Sequence, residues 1–162
     1  MKSPFLSTAT LLILVLSMAV PTTDLRGQNR EAQVLDVVQR VFDAMRAADT
    51  AAVRALFHSE ARLVAVDRRG PAPQIRVVPA SAFAEALDSA DQVWDERFWA
   101  PEVRVEGPLA TVWTHYDFHL HSRFSHCGVN AFHLARTGEG WKILQVAYTR
   151  RAEDCSRPEE VR

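Results

Sequence analysis

Lysine is almost absent from this chain: Lys2 and Lys142 are the only two among 162 residues, and 19 Lys and Arg residues stand against 20 Asp and Glu. A balance of that kind leaves no basic stripe for nucleic acid. The excess of arginine over lysine reads as a bias of GC-rich coding rather than as a phosphate-binding surface. Cysteine is as scarce, with only Cys127 and Cys155. Neither follows the apolar start of the chain, so a lipoprotein anchor is unsupported, and nothing resembling a catalytic Cys-His motif surrounds Cys127. Long hydrophobic runs are missing too. The stretch Leu11 to Val20 rises only about 15 Å as a helix, half of a hydrocarbon core of about 30 Å, so no stable membrane anchor is expected. There is no internal repeat, no low-complexity segment and no heptad pattern.

What is present begins with an export pattern. Lys2 precedes Phe5, Leu6 and the apolar run, and Ser17-Met18-Ala19 offers the small residues that a signal peptidase reads. The expected organisation is a signal peptide over 1–19, a linker over 20–29, one domain over 30–155 and a tail over 156–162, with the mature protein periplasmic or secreted. The trimmed chain has the size of one domain with a real core.

Val34, Val37, Val38, Val41, Phe42 and Met45 recur at the spacing of one helix face, opposite Glu31, Gln33, Asp36, Gln39, Arg40 and Asp43. Asp49 stands where a second helix would be N-capped, with Ala52, Val53, Leu56 and Phe57 as its apolar face. Ala61 to Val66 reads as a strand, Arg68 to Pro73 as a loop and Ile75 to Val78 as a second strand, after which Ser81 caps a helix ending near Leu87. From Val93 to Arg150 β-branched and aromatic residues dominate. Turn signals at Gly107-Pro108, Ser122-Arg123 and Gly138-Glu139 divide the segment into four antiparallel strands, and Pro101 implies a bulge in the first. The fold class is α+β, helices first and then a meander.

The stretch VFDAMRAADTAAVRALFHSEARL, followed by a meander ending in HCGVNAFHLARTGEGWKI, resembles the nuclear transport factor 2-like superfamily and, within it, the SnoaL-like proteins. The likeness spans about Val34 to Thr149. It rests on Ala48-Asp49 before the second helix, Leu56-Phe57, Glu60-Ala61 and the Gly140-Trp141-Lys142-Ile143 of the last strand. The resemblance implies a cone, a strongly curved antiparallel sheet around a cavity closed by the N-terminal helices. It implies no single activity, since the superfamily includes ketosteroid isomerases, scytalone dehydratase, polyketide cyclases and transport adaptors.

Strand parity takes the site further. A two-residue turn at Ser122-Arg123 sets Trp113 opposite Phe132, His115 opposite Asn130, Asp117 opposite Gly128 and His119 opposite His126. A turn at Gly138-Glu139 sets Phe132 opposite Gln145 and Leu134 opposite Ile143. One face then carries Trp113, His115, Asp117, His119, His126, Asn130, Phe132, Leu134, Trp141, Ile143 and Gln145. The other carries Val112, Tyr116, Phe118, Cys127, Val129, Ala131, Leu144, Val146 and Tyr148. In the resembled family the tryptophan of the Gly-Trp-Lys-Ile stretch points inward, which makes the first face the cavity wall. The second face, too apolar to lie in water, is expected to be covered in a homodimer.

The expected wall has apolar ends and a polar centre, the usual make-up of a small-molecule site. His115 and Asp117 are the candidate catalytic pair, with Trp113, Asn130, Phe132, Trp141 and Gln145 binding the ligand. Mutual hydrogen bonding in a merely polar cavity is the competing reading. No cofactor and no metal are expected: His115 and His119 stand about 13 Å apart on a strand, and His119, His126 and Asp117 sit at a hairpin end. His58 and His133 read as a helix-end and an outer-face residue, and Asp95-Glu96-Arg97 as a solvated or rim charge run. In an exported chain two cysteines most simply make one bridge, and Cys127 pairs across the sheet with Arg150, close to Cys155. Closing that loop contributes roughly 3 to 4 kcal/mol. The expected function is exported small-molecule binding, with isomerase, cyclase or dehydratase chemistry open beside it. A non-catalytic dimerisation or accessory domain is the alternative.

Overall fold

The computed structural model describes residues 22–155, with side chains from residue 27, so the expected signal peptide and tail lie outside the described residues. Helix α1 (Thr22–Arg46) buries Val34, Val37, Val38, Val41, Phe42 and Met45. It starts earlier than its apolar stripe. Residues 27–33 are all exposed, so the described part of the expected linker is helical without a periodicity to reveal it. The chain leaves α1 through Ala48 at φ 52°, and the Asp49 side chain accepts from the Ala52 amide at 2.9 Å to open α2 (Thr50–Leu56). Strands β1 (Phe57–Asp67) and β2 (Gln74–Pro79) follow, then α3 (Ala80–Asp88). The expected cap of this third helix is corrected: Pro79, not Ser81, stands at its N-cap and no side chain bonds there.

Strands β3 (Trp94–Glu106), β4 (Leu109–Leu120), β5 (Arg123–Thr137) and β6 (Gly140–Arg150) form the meander. The six strands lie in the order β2-β1-β6-β5-β4-β3. The sheet is mixed rather than wholly antiparallel, because β1 pairs with β6 in parallel. That contact joins residues far apart in sequence, which hairpin logic does not reach. The bulge expected at Pro101 is present: the β3–β4 register shifts between Trp99 and Glu102, Ala100 takes φ 49°, and the Thr114 hydroxyl donates to the Trp99 carbonyl at 2.8 Å.

Two further bulges correct the expected faces. The hairpin turn is His121-Ser122, with Leu120 paired to Arg123, and Ser125 is then an extra residue on β5. Trp113 therefore faces Ala131, His115 faces Val129, Asp117 faces Cys127 and Thr114 faces Asn130. On β6, Leu144 is extra between the Leu134–Ile143 and His133–Gln145 pairs, so Phe132 faces Val146 and Asn130 faces Tyr148. Each unpaired residue reverses every side chain beyond it. Tyr116, Phe118, Val146 and Tyr148 thus turn to the concave side, while Trp113, His115 and Gln145 turn to the convex one. The helices fill the concave side, and the core unites Val38, Val41, Phe42, Leu56, Phe57, Leu87, Val112, Phe132, Leu134 and Ile143.

Candidate functional site

Between α1, α3 and the concave face lies a cavity of about 410 Å³. Its wall is aromatic and aliphatic, with Phe42, Phe57, Phe83, Trp94, Phe118, Phe132 and Tyr148 among the lining residues. Phe57, Phe83, Trp94 and Phe118 form a chain of ring contacts with centroids 5.9 to 6.2 Å apart. Polar lining comes from Glu96, Ser125, His126, Asn130 and Tyr116, and three arginines, Arg69, Arg76 and Arg150, line it too. The exposed members Arg69, Arg76 and Ala86 mark the mouth.

Glu96 is the centre of this arrangement. It shares a parity with Trp94 and Phe98 on β3, so the alternation that turns these two half-buried aromatic residues toward the core carries the carboxyl inward as well. Its Oε1 accepts a hydrogen bond from Asn130 Nδ2 at 2.7 Å. Glu96 is half-buried and lines the cavity, and desolvation there pushes its carboxyl up to about 7. The Asn130 bond and the Arg150 charge oppose the shift and Asp117 adds to it. A carboxyl poised there can either give or take a proton near neutrality.

Its neighbours are held neutral. Burial drives the His126 imidazole down to about 4, and Arg150 and Arg69 push the same way against Asp67. His126 Nδ1 lies 3.0 Å from Ser125 Oγ, and its ring is 4.9 Å from that of Phe118. The Tyr116 hydroxyl donates to the Thr149 carbonyl at 2.8 Å, and burial together with the Glu96 charge raises its pKa. Tyr116 reaches β6 across Gly128, its β5 partner. A Cβ on Gly128 would collide with the Thr149 backbone and hydroxyl, so this crossing needs glycine.

Of the residues singled out from the sequence, the structure brings Asn130 and Phe132 into the cavity. Trp141 is buried in the core and borders a shallow groove against α1 rather than the cavity. Trp113 is 52% exposed, and His115 stacks on Trp99 with centroids 5.9 Å apart, both on the convex face. Gln145 pairs with His133 there. Asp117 is buried on the same side, 3.5 Å from His119 Nε2. His115 therefore does not meet Asn130, because the Ser125 bulge separates their faces. Cys127 and Cys155 are joined, with Cα atoms 5.7 Å apart. The partner of Cys127 across the sheet is Arg151 instead of Arg150, bonded in both directions at 2.9 Å.

Glu96 and the arginines went unread as site residues. The charge run in which Glu96 sits divides in two: Asp95 is engaged by Arg46 at 2.8 Å and by Arg97 at 2.6 Å, and only Glu96 faces the cavity. The usable signal was an acid at the middle of the alternating Trp94, Glu96 and Phe98.

Helices closing the concave face of a bulged six-stranded mixed sheet over an aromatic cavity define a nuclear transport factor 2-like (NTF2-like) protein. Solved structures agree with that class. An NTF2-like protein with a cystatin-like fold from Novosphingobium aromaticivorans superposes with a TM-score of 0.66 at 18% identity, covering 86% of this chain and 94% of its own. An NTF2-like superfamily protein from Salmonella enterica gives 0.62 at 18%, with 78% and 94% covered, and an NTF2-like protein from Shewanella baltica 0.57 at 13%, with 83% and 99% covered. At such identities the likeness is one of fold. Within that class the chain belongs to the family described as "Putative lumazine-binding", whose family model matches residues 29–149. No curated protein sequence matches the chain significantly.

Proposed function

We propose that the protein binds a flat, small organic molecule in the concave cavity and that Glu96 and Asn130 contact its polar edge. The observation that carries this reading is a cavity-lining carboxyl, hydrogen-bonded to an amide, in a wall made mostly of aromatic and aliphatic side chains. The family description supports a bicyclic heteroaromatic ligand of the lumazine kind, whose ring edges present both donors and acceptors. Calorimetric titration of lumazine into the protein should give one site, and Ala82→Phe, which fills space at the half-buried lining residue Ala82, should remove it. Native mass spectrometry of protein purified from its host should show a retained ligand of that class. An empty protein with no lumazine binding would overturn the reading.

Chemistry without a cofactor, an isomerisation, cyclisation or dehydration, fits the same site, with Glu96 moving the proton and Asn130 orienting it. Glu96→Gln should then abolish turnover while sparing binding. A dimer through the convex face is supported by the exposure of Leu109 and Trp113 there. Light scattering that reports a monomer at micromolar concentration would refute it. Export is supported by the Cys127–Cys155 bridge, and intact-mass analysis of native protein should show the first 19 or 27 residues missing.

A further inference from the structure

We propose that the concave cavity also takes aromatic acids, or ring systems that carry an acid group, whose carboxylate is held at the mouth by Arg76 and Arg150. This rests on the cavity being a small-molecule site and names the class of molecule it takes.

The sheet lays out the polar groups in rows. Arg76, Ala65, Tyr148 and Asn130 are successive cross-strand partners on β2, β1, β6 and β5. Asp67 and Arg150 are partners in the adjacent row, one inward position nearer the mouth. Three strand spacings, about 14 Å between Cα atoms, separate Arg76 from Asn130. Arg76 and the Glu96–Asn130 pair are thus a small bicyclic molecule apart once the Arg76 side chain reaches in, with Arg150 on β6 between them. Tyr148, Phe118, Phe132 and Trp94 supply walls for rings between them.

The positive charge at the mouth is not balanced from within. Arg69 is taken by Asp67 through hydrogen bonds from Nε and Nη2. Arg76 makes no ion pair among the described residues. Arg150 lies over the Tyr148 ring at 5.3 Å and touches its hydroxyl only at 3.5 Å, while its Nε is buried without a hydrogen-bond partner. A guanidinium N–H removed from water and left unbonded is costly, and a planar carboxylate satisfies it with a paired bond. Glu96 is the only carboxylate among the lining residues; its Oε1 is engaged by Asn130, and it lies close enough to Arg150 to feel that charge. It also stays largely protonated below neutrality, which leaves the cavity net positive and receptive to an anion.

The test uses 2-naphthoate and its neutral counterpart 2-naphthamide as probes, titrated calorimetrically at low ionic strength near pH 7. The parent should bind the acid at least tenfold more tightly than the amide. Arg76→Gln and Arg150→Gln should each weaken the acid about tenfold and leave the amide unchanged. Arg76 is an exposed strand residue, so its variant folds whether or not Arg150→Gln does. Equal one-site binding of both probes would overturn the aromatic-acid assignment and leave the cavity reading standing, as would an acid preference that persists in both variants. Binding of neither probe would sink both.

Discussion

The two faces of the meander hold similar residue types in opposite circumstances. On the convex face most polar side chains meet one another: His115 stacks on Trp99, His119 lies 3.5 Å from Asp117, and Asp95 is gripped by Arg46 and Arg97, although His119 Nε2 makes no hydrogen bond. On the concave face Glu96 and His126 are both pushed toward their neutral forms, and Arg150 keeps an unbonded Nε. Shifts of that sort cluster at functional sites, which favours the concave face over the convex one as the candidate site. Histidine content alone points the other way, since His115 and Asp117 look more like a catalytic pair than Glu96 does.

The sharpest way to break the contrast is to close the gap over which Tyr116 crosses β5. Gly128→Ala drives a methyl into the Thr149 backbone and should cost about 4 kcal/mol or prevent folding; urea unfolding checks this. Removing the bridge with Cys127→Ser and Cys155→Ser should cost roughly 3 kcal/mol, visible as a fall in the urea midpoint that reducing agent reproduces in the parent.

A subtler test separates the two buried titrating groups. Glu96 holds its proton up to about pH 7 in the native state against an ordinary 4.5. Stability should therefore fall as pH rises across that window, by up to about 3 kcal/mol. His126 titrates near 4 when folded against 6.5 ordinarily, so its contribution rises with pH between those values by a comparable amount. The two oppose each other from about 4.5 to 6.5, and the parent should vary little there. Glu96→Gln should uncover the rising limb, measured as urea midpoints across pH. The smallest effect belongs to the convex face: Trp113→Ala, half-exposed, should change monomer stability by under about 1 kcal/mol and leave cavity binding unaltered.

Much of the architecture is legible from periodicity. The valines of α1, the Asp49 cap, the Pro101 bulge and the disulfide all follow from local chemistry that the structure repeats. The site is less so, and the reason is narrow. Asn130, Phe132 and His126 lie on β5, which parity oriented correctly, whereas β4 and the far half of β6 lie beyond Ser125 and Leu144. A single unpaired residue reverses a strand, and neither serine nor leucine advertises a bulge as Pro101 does. Glu96 is masked in the sequence by its neighbours Asp95 and Arg97, whose charges make an inward acid look like part of a solvated or cavity-rim run. The three arginines come from the β1–β2 loop, β2 and β6, and the parallel β1–β6 pairing that unites those strands has no local sequence signal.

The four tryptophans make the central claim measurable in one spectrum. Trp94 lines the cavity, Trp99 and Trp113 belong to the convex side, and Trp141 is packed toward α1. Each indole N–H gives its own signal in a nitrogen–proton correlation spectrum, assignable by Trp→Phe substitution. Titration with 2-naphthoate should move the Trp94 signal and leave Trp99 and Trp113 in place. Movement of Trp113 and Trp99 with Trp94 unchanged would put the ligand on the convex face and contradict the account.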